Sequence, residues 1–218
     1  MHSIAKSIYS RHKNFWSKTH LLTLGEGGLL FVLALFIQHF AYNYIDNRVV
    51  GTAVQDLLLD NLAVLNLDIF IVQGALLLTF ILIGLLVAKP QYVVFSIKAL
   101  ALFLIVRSFF ISLTHLGANL HQITLDVDGT GFWLYDFLYN AKNDFFFSGH
   151  VGSSFLLGLI FWKESFWRNF FFVCSAILGM SMILAHMHYS IDVFAAPFIT
   201  YGIFVIATKL FRKDFQLI

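Results

Sequence analysis

Apolar residues along this chain fall in long, almost unbroken runs separated by short polar connections, the pattern of helices solvated by lipid. A helix rising 1.5 Å per residue needs roughly 20 residues to cross a bilayer core. The first run, Leu21 to Tyr42, contains Glu26 within a Gly25-Glu26-Gly27-Gly28 patch that blurs its start. Ile69 to Ala88 is the cleanest, closed by a charge and a helix breaker at Lys89-Pro90. Tyr92 to Leu113 follows at once and carries Lys98 and Arg107, so the second and third runs must form an antiparallel hairpin. Ser148 to Trp162, Phe170 to Met187 and Ile191 to Phe211 complete the set, the last two again antiparallel neighbours. The pattern predicts an all-α, polytopic membrane protein with six transmembrane helices.

Composition agrees. With 59% hydrophobic residues, 12% charged ones and 26 Phe, the chain has too little polar surface to cover a soluble globule. The positive charges fix an orientation, because Lys and Arg accumulate on the cytoplasmic side. Lys6, Arg11, Lys13 and Lys18 precede the first run, Lys89 follows the second, Lys163 and Arg168 follow the fourth, and Lys209, Arg212 and Lys213 close the chain. The alternate loops hold only Arg48 and Lys142, among Asp46, Asp56, Asp60, Asp68, Asp126, Asp128, Asp136 and Asp144. Both termini are therefore predicted to be cytoplasmic. The net charge of +2 suits anionic headgroups rather than nucleic acid. The basic segment of about residues 1–20 lacks a small-residue cleavage site after the first run, so that run is expected to stay in the mature protein. Cys174 is alone and reads as a packing residue. No repeat or long linker divides the chain, and residues 1–218 read as one membrane domain.

Ionisable groups at the edge of such runs are costly and mark function. His188 and Asp192 are four residues apart, so a helix continuing through Ser190 would set them about 40° apart on one face, with Asp192 holding one imidazole nitrogen and the other free to react. At Asp144-Phe145-Phe146-Phe147-Ser148-Gly149-His150, either Asp144 or Ser148 can cap a helix whose free amides point outward. Gly149 then permits close approach, and the segment reads either as a pocket whose natural ligand is phosphate or as a capped membrane helix that carries a histidine at the interface. The predicted topology puts Arg107, His150, His188 and Asp192 on one membrane face, the extracytoplasmic one. Arg107 reads as the phosphate clamp of this set, since an arginine inside a span is costly to leave idle, or as a structural arginine reaching the interface.

Ser148-Gly149-His150, followed on a later run by His188-Tyr189-Ser190-Ile191-Asp192-Val193, resembles the paired motifs of the type 2 phosphatidic acid phosphatase (PAP2) superfamily. It is similar more narrowly to the sphingomyelin synthase branch, in which an Asp precedes Ser-Gly-His and the second motif reads Ala-His-x-His-Tyr-Thr/Ser-x-Asp-Val. Asp144 and Ala185 to Val193 fit that pattern. Gln55-Asp56 and Arg107-Ser108-Phe109-Phe110 resemble less specific family motifs. The resemblance implies a six-helix enzyme using no metal or cofactor, acting on a phospholipid donor with a lipid or water acceptor. His188 would attack phosphorus, Asp192 orient it, and His150 protonate the leaving oxygen. Arg107, Asp144, Ser148, Gly149 and Tyr189 are the expected substrate-binding residues.

The soluble-type phosphatase pattern of Lys and Arg-Pro before Ser-Gly-His, and Ser-Arg before the second histidine, is absent: no Pro follows Arg107, and Met182 follows Ser181. Headgroup transfer to a ceramide-like or diacylglycerol-like acceptor, hydrolysis of a lipid phosphate, and a non-catalytic lipid-handling role all remain open. A His-x-His metal site at His186 and His188 is disfavoured, since residues two apart on a helix point about 200° apart. Asp126-Val127-Asp128-Gly129-Thr130-Gly131 lacks the twelfth-position acid of a calcium loop and reads as a turn. Trp133, Tyr135, Phe137 and Tyr139 form an aromatic strip that reads as a membrane-surface lid or an ordinary interfacial belt. Glu26, Lys98, His39, His115 and His121 join no constellation and read as interfacial or structural.

Overall fold

The computed structural model describes residues 2–48, 51–126, 128–139 and 144–218. Val127, Lys142 and Asn143 lie outside the described residues, as do the side chains of Arg48 and Phe137. Among the described residues the fold is all-helical, in the order α1 (His2–Phe15), α2 (Lys18–Arg48), α3 (Asp68–Ala88), α4 (Val93–Leu113), α5 (Phe132–Tyr139), α6 (Gly149–Ile160), α7 (Ser165–Leu184), α8 (Ser190–Leu210) and α9 (Arg212–Phe215).

Five helices, α2, α3, α4, α7 and α8, are long and apolar enough to cross a membrane. The remaining expected span is shorter than its sequence suggested: α6 has twelve residues, about 18 Å of rise. Residues 144–148 ahead of it are irregular, and the chain turns again after Ile160. Nearly all of α6 is buried by protein rather than by lipid, because it sits against α7, α8 and α4. Helix α4 is the most enclosed of the long helices, with 56% of its most apolar window buried against 11% for α2. This makes α4 the wall on which the rest assembles. Helix α2 packs along α4 and turns Leu29, Phe36 and Phe40 outward, where a lipid phase would solvate them.

Two helix ends explain where the expected boundaries moved. Helix α3 closes at Lys89, whose N–H still reaches Leu85 O at 2.8 Å, and Pro90 starts a 3₁₀ turn through Tyr92 that reverses the chain into α4. Helix α7 ends at Leu184, three residues before Met187. His186 adopts a left-handed φ of 53°, its N–H donates to Ile183 O (3.0 Å), and Met187 N–H donates to Met182 O (2.9 Å). That pairing is the helix-closing motif in which a left-handed residue satisfies the last carbonyls.

Basic and acidic groups tie together the end of the bundle away from Ser148 and His188. Lys89 pairs with Glu164, while Arg11 and His12 of α1 reach the carbonyls of Ala88 and Val87 at 3.2 and 2.7 Å. Lys98, expected to join no constellation, is buried in an ion pair with Asp214 of α9 at 2.8 Å, with Glu26 beside it at 3.5 Å. Removing one member of a buried pair leaves a bare charge. Lys98→Met should therefore destabilise the protein in detergent by about 3–5 kcal/mol, and the double replacement Lys98→Met, Asp214→Leu should recover most of it. Denaturant unfolding compares them; equal losses in both variants would contradict this account of the pair.

Candidate active site

The start of α6 is set by a backbone that ordinary side chains avoid. Phe146 and Phe147 have φ of 105° and 26°, conformations that cost roughly 1–3 kcal/mol each without a compensating environment. Aromatic packing supplies that environment. Phe147 is fully buried, edge-on to Phe103 at 5.7 Å, and Phe146 lies 5.5 Å from Phe110. Phe145 meets the rings of His188 (6.1 Å) and Tyr189 (5.6 Å). The outcome is that Ser148 N–H donates to Asp192 O at 2.9 Å, a backbone bond joining the two motifs directly.

Ser148 occupies the N-cap position of α6, but its hydroxyl makes no capping bond and is buried without a partner among the described residues. Asp144 does not cap either, because its Oδ2 accepts from Arg107 Nη2. Among the described residues no carbonyl accepts from the backbone N–H of Gly149, His150 or Val151. The guanidinium lies over this end of the helix: a Cβ on Gly149 would come within 2.9 Å of Arg107 Cζ and Nε. Arg107 Nη1 donates to Tyr42 Oη (3.0 Å), which also receives Gln38 Nε2 (2.7 Å). Arg107 Nε and Asp144 Oδ1 are buried and lack a partner among the described residues. Free amides, a guanidinium and unmatched polar atoms gathered within apolar walls form a site suited to an anion.

The two histidines approach from different elements. His150, in the first turn of α6, shares a 3.0 Å hydrogen bond through Nε2 with Tyr135 Oη, and Tyr139 stacks on its ring at 5.2 Å. Both tyrosines come from α5, the aromatic strip of the sequence, while Trp133 on the same helix is exposed. Burial first, and then the charge of Asp144, raises the pKa of the Tyr135 phenol, so it stands as a neutral hydroxyl over the imidazole. His188 and Arg107 lie within electrostatic reach of His150.

His188 meets Asp192, though not on one helical face as the spacing suggested. Helix α8 begins at Ser190, so His188 sits on the preceding turn and Asp192 is the third helical residue. Asp192 Oδ2 reaches back to both Tyr189 N–H and His188 Nδ1, each at 3.3 Å. A helix-start contact thus produces the pairing, and His188 Nε2 is left without a partner among the described residues. The helical argument about His186 and His188 lapses for the same reason, since both follow the end of α7. His186 is buried with both ring nitrogens unpartnered, and no group of three potential ligands forms a metal site among the described residues.

The hydroxyl of Tyr189 lies outside this polar set: it donates to Gly117 O (2.7 Å) and accepts from Val54 N–H (3.2 Å). Gln38, Tyr42, Tyr135 and Tyr139 were missed as neighbours of the site. The i, i+4 spacing of each pair is the signal that could have found them. A cavity of about 190 Å³ opens from the Arg107–Asp144 pair and His150, bordered by Gln38 and Tyr42, and continues between apolar side chains such as Leu82 and Phe31.

The family model described as PAP2 superfamily C-terminal matches residues 143–209, the segment that carries Asp144, Ser148-Gly149-His150 and His188 to Asp192. This supports the PAP2 superfamily and a lipid-related phosphatase or phosphotransferase type of function. No curated protein and no solved structure matches the chain.

Because the Arg107 guanidinium is held by Asp144 and Tyr42, it cannot swing aside freely from an added methyl group. Gly149→Ala should displace it and lower phosphate-dependent binding or turnover about tenfold, with a smaller effect on unfolding. Titration with a phosphate-headed lipid analogue measures this; wild-type affinity and turnover would show that the close approach is unimportant.

Proposed function

We propose that this chain is an integral-membrane lipid phosphotransferase or phosphatase that works through a phosphohistidine at His188. The observation that carries the reading is the joining of the Ser-Gly-His segment to the His188–Asp192 pair by the Ser148–Asp192 backbone bond. His188 Nε2 attacks phosphorus and the bond from phosphorus to the lipid oxygen breaks, with its electron pair leaving on that oxygen. His150 gives the oxygen a proton. Asp192 holds Nδ1–H and offsets the positive charge that forms on the ring. An acceptor hydroxyl then loses its proton to His150 and attacks phosphorus, and the P–N electron pair returns to His188. Arg107 and the amides of Gly149 and His150 hold the non-bridging oxygens, with Ser148 beside them and Asp144 setting the guanidinium plane.

In this proposal α6 serves as a sixth, shortened passage, residues 1–218 act as one domain, both termini face the cytoplasm and the site faces the extracytoplasmic leaflet. The aromatic cover over His150 restricts water, which supports transfer of a phospho-headgroup to a ceramide-like or diacylglycerol-like hydroxyl, in the manner of the sphingomyelin synthase branch, over hydrolysis.

Purified protein incubated with fluorescent ceramide or diacylglycerol and mixed phospholipids should yield a headgroup-bearing fluorescent product. Release of free phosphate instead selects hydrolysis, and no reaction with any lipid contradicts the proposal. His188→Ala should lower turnover by at least about a thousandfold, and Asp192→Asn or His150→Ala by about a hundredfold or more, with insertion intact. Near-normal rates in any of the three would contradict its role. Topology is tested with a single cysteine at Asn61 or Lys163 in a Cys174→Ser background. An impermeant reagent on intact cells should label the first and spare the second, and the reverse pattern would invert the orientation.

A further inference from the structure

The loop over residues 51–67 crosses the turn that carries His188, and its Asp56 divides its carboxylate oxygens between two tasks. Oδ1 accepts the N–H of Leu58 (2.9 Å) and Leu59 (3.2 Å), which with Asp60 N–H to Asp56 O (2.8 Å) closes a local turn. Asp60 Oδ2 completes it by accepting Asp56 N–H at 3.1 Å. Oδ2 of Asp56 has no part in that turn. It accepts Ser190 N–H, the first amide of α8, at 2.7 Å.

Helix α8 needs this outside help. Its N-cap residue is Tyr189, which lacks the short side-chain oxygen that caps usually provide and whose hydroxyl is engaged with Gly117 and Val54. Asp192 is turned back toward Tyr189 N–H and His188. A carboxylate placed at the helix start from another loop satisfies both the free amide and the positive end of the helix. Burial alone would raise the pKa of Asp56, but the hydrogen bonds from Ser190, Leu59 and Leu58 outweigh it and hold the group below the usual carboxylate range.

We propose that Asp56 is a positioning residue for the nucleophile: by capping α8 from a separate loop it fixes Ser190, and through Ser190 the angle at which His188 meets Asp192. This rests on the phosphohistidine reading for its consequence in turnover, and on geometry alone for its effect on the His188 ring.

Two variants test the Asp56–Ser190 contact, to which the Ser190 side chain also contributes. Asp56→Asn keeps an acceptor for Leu58 and Leu59 but turns amide hydrogens toward Ser190 N–H. Ser190→Pro removes that N–H at the first helical position, which proline tolerates, and Tyr189 with φ −67° and ψ 153° already has the conformation a residue before proline prefers. Asp56→Asn should lower kcat at least about tenfold, with KM within about twofold and unfolding near wild type. Asp56→Asn should cost nothing further in the Ser190→Pro background, where the contacts from Ser190 to Asp56 are already lost. Additive losses, or a wild-type kcat in Asp56→Asn, would overturn the proposal.

A second readout does not need turnover. In protein labelled with ¹⁵N-histidine, the Nδ1–H resonance of His188, assigned by its loss in His188→Ala, should shift or broaden in Asp56→Asn. An unmoved resonance overturns the positioning role whatever the rates. If wild-type protein turns over no lipid while Asp56→Asn still moves that resonance, the phosphotransfer reading fails and the positioning of His188 by Asp56 stands.

Discussion

The bond from Ser148 N–H to Asp192 O is the constraint on which the site depends, because it fixes one motif against the other through backbone rather than through mobile side chains. It forms only if the chain reaches Ser148 from the right direction, and the unusual φ angles of Phe146 and Phe147 give that direction. Those angles persist because Phe145, Phe146 and Phe147 are each locked by other rings. The run of phenylalanines before Ser-Gly-His is therefore a device for holding strained backbone where two helices meet. Among the described residues the first amides of α6 are left without a carbonyl partner, and neither Ser148 nor Asp144 caps them.

The polar groups around this bond illustrate how a bundle of membrane-length apolar helices carries charge. Arg107 emerges near the end of α4, its charge balanced by Asp144 and its remaining donors directed to Tyr42 and the start of α6. At the opposite end Lys98 and Asp214 neutralise one another in a buried pair, with Glu26 beside them. The Arg107–Asp144 pair borders a cavity. Lys98 and Asp214 meet one another, whereas Arg107 Nε and Asp144 Oδ1 lack a partner among the described residues, as in a pair placed to meet a ligand.

Much of this was legible in the chain. Long apolar runs located α2, α3, α4, α7 and α8, and the Lys89-Pro90 break marked the hairpin between α3 and α4. The His188–Asp192 contact was anticipated from four-residue spacing, yet it arises at a helix start, because the left-handed His186 ends α7 early. Hydropathy alone could not reveal that α6 is short, since a core helix and a membrane helix are equally apolar. Lys98 looked solitary because its partner Asp214 is distant in sequence, and the capping of α8 by Asp56 was invisible for the same reason. Local spacing reports neighbours along one element. Partners from separate loops emerge only once the helices are packed.

Locating the phosphoryl group on the protein tests the central claim most directly. Brief reaction with a phospholipid donor carrying ³²P in its headgroup phosphate, followed by quenching at alkaline pH, digestion and mapping, would identify the modified residue. The account predicts acid-labile label on the peptide spanning 185–193, at His188. Label on any other residue, or turnover of the lipid with no labelled protein under conditions that preserve phosphohistidine, would contradict it.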